Sequence, residues 1–349
     1  MSQKSNAARK SGTWRQVLLW AIGAAGLLAL VYFGGRALLV DRNGPVRLTV
    51  YAFSTQEEVL TQEIFPAFEV AWEAETGRPL TIAGIFGPSA TLAGQINLGA
   101  PADIAVFSNE QDVTRIKVGK RIDRDAEGQV VSYTPMVIVT RPGNPAGLAD
   151  WSDLAQPGLR VLHPDPRTSG AGAWGVLAEY GSELLQSGDA TAAQQQLAAI
   201  WDNVQVMSPS ARAALTLFEL GAGDALVTYE QDARLAQQRG VPLEIVVPRR
   251  TILAQHVAVP VDRNITRAER PAAQAFIDFL LSDAGQQALV RYHWRPAMPD
   301  GSDMPRLQQP FTVSDLGGWP KANADVIDGV WQRQVYPQLD VELLGPSSN

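Results

Sequence analysis

Two periods of apolar residues run through the chain from residue 46 onward. Val46–Phe53 (VRLTVYAF) is apolar and β-branched, and it predicts a strand that opens the folded part. Leu60, Ile64, Ala67, Phe68, Ala71 and Trp72 then recur every three or four residues, which predicts a helix with one buried stripe ended by Thr76-Gly77. Leu80–Ile85 reads as a strand, Ser89 precedes a short amphipathic stretch with Leu92 and Ile96, and Asp103–Phe107 is a short apolar strand. Strand, helix, strand, helix, strand is the order of a parallel sheet with helices on both faces.

The pattern resumes at Met136–Thr140, which runs into the breaker cluster Arg141-Pro142-Gly143-Asn144-Pro145. Trp151–Leu154 predicts a short helix and Leu159–His163 a strand. Helices over Ala173–Gln186 and Thr191–Trp201 follow, then a strand at Val204–Met207. Leu215, Phe218 and Leu220 lie on a helix that Gly221 ends, before a strand at Ala225–Tyr229, a helix at Gln231–Gln238 and strands at Leu243–Val247 and Ile252–Pro260. Arg270–Leu281 and Ala284–Tyr292 are predicted helical, and the rest reads as short mixed elements without an internal repeat. Two α/β lobes fit this order better than one large sheet, with crossings near Arg141-Pro142 and Pro248-Arg249-Arg250. The expected division is 1–16 as a basic segment, 17–40 as a membrane segment, 44–140 with 249–349 as lobe 1, and 141–248 as lobe 2. Ligands on open α/β sheets sit at the carboxyl ends of strands, and two lobes can turn those ends toward one cleft.

Val17 to Gly35 carries no charge over 19 residues, nearly enough to span a bilayer as a helix. Lys4, Arg9, Lys10 and Arg15 precede it and no acid occurs before Asp41, so the positive-inside rule places the amino terminus in the cytoplasm and the body outside. The run reads as an uncleaved anchor. The alternative is a cleaved signal peptide, with Gly35-Arg36-Ala37 as a weak cleavage site.

Composition narrows the chemistry. The 349 residues carry a net charge of −7, and residues 1–40 hold five basic and no acidic residues, so the body carries −12. That balance argues against a general nucleic-acid binder. The absence of cysteine excludes disulfides, thiolate metal sites and a Cys nucleophile, and three histidines (His163, His256, His293) leave little room for a metal centre. No cofactor and no metal are expected.

Three serine-rich turns each follow a strand and precede a helix: Gly87-Pro88-Ser89-Ala90, Thr168-Ser169-Gly170-Ala171-Gly172 and Ser208-Pro209-Ser210-Ala211. Ser54-Thr55 after the first strand is a fourth. Each serine taken singly has an ordinary role as a helix cap. Together they suggest one shared oxyanion, because helix starts offer unpaired N–H groups and partial positive charge.

Short matches in order make the chain resemble the sulfate/thiosulfate-binding proteins of ABC transporters, in the type II periplasmic binding-protein fold. They include AFEVAWEAETG (67–77), DWSDLAQPG (150–158), HPDPRTSGAGAW (163–174), SARAALTLF (210–218), GAGDALVTYE (221–230), ILAQHVAV (252–259), FLLSDAGQ (279–286), WRP (294–296) and FTVSDLGGWPKA (311–322). The resemblance spans about residues 46–330. It implies two lobes joined by hinge strands and closing on a dehydrated tetrahedral oxyanion. Ser54 and Thr55 are contact candidates from the turn pattern, and the resemblance, carried over residue by residue, implies further ligand contacts from Ser89, Ser169, Gly170, Ala171, Ala211 and Tyr229, with Arg212 one layer behind. The match is uneven: Pro88 has no N–H to give, Tyr229 stands where the family has a tryptophan, and Thr55-Gln56-Glu57 replaces Asp-Pro-Thr.

The resemblance implies a monomeric, non-enzymatic protein outside the cytoplasmic membrane that hands sulfate or thiosulfate to an ABC permease. Molybdate, tungstate and phosphate are alternative ligands, and an anchored sensor or interaction domain without anion binding is a further alternative. A hydrolase would need Ser169 or Ser210 with His163 or His256, and a ferric-iron site would need tyrosines beside Tyr229. Glu57, Glu58, Asp165 and Glu230 are expected on solvated faces or in neighbour ion pairs rather than on the ligand.

Overall fold

The computed structural model describes residues 44–297, 304–339 and 342–343. The expected membrane segment at 17–40 and the basic segment before it lie outside those residues. Among the described residues no helix is long and apolar enough to cross a membrane. The compact unit starts at Val46.

Strand β1 (Val46–Phe53) leads through a 3-10 turn (Ser54–Gln56), one short α turn (Glu57–Val59) and a π turn (Leu60–Ile64) into α1 (Phe65–Thr76), which Gly77 ends at φ 68°. Only glycine adopts that left-handed conformation without strain. Next come β2 (Leu80–Gly87), α2 (Ser89–Asn97), β3 (Ile104–Phe107) and α3 (Glu110–Val118). The long strand β4 (Gln129–Thr140) follows, then β5 (Val161–Pro164), α4 (Gly170–Ser187), α5 (Ala190–Trp201), β6 (Val204–Ser208) and α6 (Ala211–Glu219). After β7 (Ala225–Tyr229), α7 (Glu230–Gln238) and β8 (Glu244–Val246), the chain returns through β9 (Arg250–Pro260) to α8 (Arg270–Leu281) and α9 (Asp283–Arg291). It closes with β10 (Arg295–Pro296), β11 (Gln309–Phe311), α10 (Trp319–Ala322), a π-helical continuation (Asn323–Val335) and β12 (Glu342–Leu343).

Two sheets meet along this path. The first lobe holds β2, β1 and β3 in parallel, with β9 antiparallel to β3. The second holds β7, β5, β6 and β12 in parallel. β4 belongs to both: Gln129–Pro135 pairs with β9, and Met136–Thr140 pairs with β7 and β8. The crossing therefore lies inside β4, before the Arg141-Pro142 turn. Both sheets are sandwiched. A large apolar cluster includes Trp72, Trp151, Trp174 and Trp201, and separate clusters around Phe107 and Phe218 fill the opposite faces.

Two expectations change. Residues 110–118 form a helix that the apolar pattern did not announce, because it buries only Asp112, Val113 and Ile116. The division that placed all of 249–349 with the first lobe is corrected at its end. Trp319 packs edge-on against Trp174 and Trp331 against Trp201, so this stretch covers second-lobe helices. Phe311 likewise touches Gly181 of α4, and β12 extends the second-lobe sheet beside β6.

Candidate anion-binding site

Six strands deliver their carboxyl ends to one place. β1 ends at Ser54-Thr55, β2 at Gly87-Pro88-Ser89, β3 at Ser108, β5 leads to Ser169-Gly170-Ala171, β6 to Ser210-Ala211, and β7 ends on Tyr229. These residues, with Phe53, line one small cavity between the lobes. All eight expected contact residues are brought together there. Ser108, Ser210, Phe53, Gly87 and Pro88 join them.

Glycine makes the close approach possible. A Cβ on Gly170 would lie 1.4 Å from Ser108 Oγ, and one on Gly172 would lie 2.4 Å from the Pro164 carbonyl oxygen. The lobes are held shut by direct bonds. Trp174 Nε1 donates to the Ser108 carbonyl at 2.7 Å, and the Ala90 N–H donates to the Thr168 carbonyl at 3.1 Å. Glu58 of the first lobe pairs with Arg212 and, at 3.2 Å, with Arg239 of the second.

The serines divide by what they already hold. Ser210 is a true cap whose oxygen accepts the Ala213 N–H at 3.1 Å, so its hydrogen remains to give. Ser169 occupies the cap position of α4 without a side-chain capping bond. Ser89 Oγ accepts the Ser108 N–H at 3.1 Å and stands 2.6 Å from Asp112 Oδ2, to which it donates. Its hydroxyl is therefore committed, which corrects the expectation that the hydroxyl faces the ligand. The remaining contribution of this turn is the first-turn N–H of α2.

Among the hydroxyls that line the cavity, Thr55 Oγ1 has no hydrogen-bond partner in the protein, and Tyr229 Oη has none beyond the neighbouring Ser108 hydroxyl. Burial pushes the Tyr229 phenol far up, so it stays a neutral donor. No carboxylate lines the cavity. Asp112 lies one layer back, raised by burial and partly offset by the Arg115 ion pair at 2.7 Å. Arg212 does not line the cavity. It is held by Glu58 and stands 3.8 Å from Asp232, whose carboxyl burial raises to about 6 despite that cation. Asp165 pairs with Arg167 at 2.6 Å, and Glu230 with Arg234 at 2.6 Å and Arg295 at 2.8 Å.

Neither buried histidine hydrogen-bonds a serine hydroxyl. His256 Nδ1 donates to the Ser108 carbonyl at 3.1 Å, and burial lowers this group to about 3, so it is neutral. His163 Nδ1 donates to the Pro164 carbonyl at 2.7 Å, with Nε2 3.5 Å from Glu179. Tyr229 is the one tyrosine among the described residues that line the cavity. Such an arrangement can strip water from a small anion and surround it with N–H and O–H donors.

A family profile described as bacterial extracellular solute-binding protein matches residues 48–295. A sulfate-binding protein of Synechococcus elongatus is 30% identical over 300 residues, covering 82% of this chain and 85% of its own. A thiosulfate-binding protein of Pseudomonas aeruginosa is 31% identical over 292 residues, covering 79% and 88%. Among solved structures, the sulfate-binding protein SubI from Mycobacterium tuberculosis superposes with a TM-score of 0.74 at 28% identity, covering 80% of this chain and 99% of that one.

Proposed function

The chain belongs to the bacterial extracellular solute-binding proteins, in their sulfate- and thiosulfate-binding branch, and from that premise we propose that it captures sulfate or thiosulfate between its lobes for an ABC permease. The observation that carries this reading is the cavity lining: hydroxyls and helix-start N–H groups, with no carboxylate. Sulfate at neutral pH has acceptors only, so a ring of donors suits it and a carboxylate in contact would repel it. The protein binds and releases without chemistry.

The contact set proposed is Ser54, Thr55, Ser169, Gly170, Ala171, Ala211, Tyr229 and the main chain of Ser89. Capture takes place outside the cytoplasmic membrane, with residues 17–35 as the anchor. Tethering raises the local concentration near the permease.

Deletion of the gene is expected to abolish growth on sulfate as the only sulfur source and to leave growth on cysteine intact. Unimpaired growth on sulfate contradicts the reading. Retention of the full-length chain in the membrane fraction tests the anchor.

A further inference from the structure

Resting on the oxyanion reading of the cavity, we propose that Ser108 is a further ligand-binding residue whose hydroxyl donates to the bound anion beside Tyr229.

Ser108 follows the carboxyl end of β3 and precedes α3, just as Ser54, Ser89, Ser169 and Ser210 follow β1, β2, β5 and β6. It lines the same cavity and is 1% exposed.

The Ser108 N–H is given to Ser89 Oγ at 3.1 Å. Its carbonyl accepts from Trp174 Nε1 at 2.7 Å and from His256 Nδ1 at 3.1 Å. Its hydroxyl oxygen takes the Asn109 side-chain amide at 3.5 Å. Only the hydroxyl hydrogen is left, and no backbone movement is needed to aim it.

Ser108 Oγ lies against Gly170, the first residue of α4, where helix N–H groups are unpaired. It also stands beside the Tyr229 hydroxyl. Two neutral hydroxyls are modest partners for each other, whereas hydrogen bonds to an ionised acceptor are about twice as strong. An oxyanion in the cavity therefore draws both hydrogens. Ser108 also joins capture to closure, since the residue that donates to the anion is the one whose carbonyl holds Trp174 of the opposite lobe.

The test is calorimetric titration of sodium sulfate into the full-length protein, purified in detergent and freed of ligand by unfolding and refolding. Ser108→Ala is expected to weaken sulfate at least tenfold, as loss of one bond to a charged group does. Ligand-free melting should stay unchanged, because the backbone bonds of Ser108 survive. Ser108→Cys keeps the size but donates weakly, and its affinity should fall between the two. Affinity within twofold of the parent in Ser108→Ala overturns the assignment and leaves the sulfate reading standing. If Ser108→Ala fails to fold, full affinity in Ser108→Cys overturns it. No sulfate binding by the parent overturns the cavity reading and the assignment together.

Discussion

Ser89 stands 2.6 Å from Asp112 and accepts the Ser108 N–H at 3.1 Å, so truncating it disturbs two buried groups at once. Ser89→Ala is expected to destabilise the protein by about 1–3 kcal/mol, read from urea unfolding, with sulfate affinity falling as the α2 turn loosens. Asp232 makes a different prediction. Its folded pKa is raised to about 6 by burial, against about 3.9 for a free aspartate. The folded state holds that proton more tightly, so stability declines as pH rises from about 4 to 6, and the penalty is fully present above 6. Relative to Asp232→Asn, the parent should lose roughly 2–3 kcal/mol between pH 4 and pH 7. A pH-independent difference between the two would contradict the assignment. The residues that line the cavity were legible in the sequence because a serine between a strand and a helix is a local pattern. The Ser89–Asp112 bond was not, because it joins residues 23 apart whose meeting depends on a helix packing.

That helix is the main element missed. In α3 the pattern holds Val113 and Ile116 amid Glu110, Gln111, Thr114, Arg115 and Lys117, too thin an apolar stripe to announce a helix. Asn109, which caps it by accepting the Asp112 N–H at 3.1 Å, was the available signal. Missing α3 hid Ser108, since the strand–serine–helix pattern was incomplete without its last member. Pro135 hid the first half of β4 in a similar way. Proline is tolerated there because β4 changes partners between Pro135 and Met136. At the carboxyl end, Gly317, Gly318 and Pro320 broke up the pattern before a long helical stretch that buries Val326, Ile327, Val330 and Trp331. The start of α4 carries the prediction at this scale. In Gly170→Ala the new methyl overlaps Ser108 Oγ, so the lobes cannot reach their closed contact. Sulfate affinity should fall at least a hundredfold with both lobes still folded by circular dichroism. An affinity near that of the parent would mean that the Gly170–Ser108 seam is not part of the bound state.

The two-lobed architecture itself was readable, because strand–helix alternation and the parallel order it implies are properties of sequence pattern. Which surfaces of the lobes touch was not, because Trp174 to Ser108, Ala90 to Thr168 and Glu58 to Arg212 all join distant parts of the chain. Those contacts make a closed molecule around a cavity that neither lobe builds alone. A permease able to sense closure would therefore read one composite surface. On the proposed reading, this cavity selects a fully ionised tetrahedral oxyanion by surrounding it with donors. The most direct measurement is calorimetry on the ligand-free full-length protein with sulfate, thiosulfate, molybdate, tungstate and phosphate in turn. A sulfate Kd of about micromolar or tighter, near −8 kcal/mol, and no heat from phosphate are expected. Preference for phosphate, molybdate or tungstate over sulfate, or no binding of any of the five, would contradict that reading.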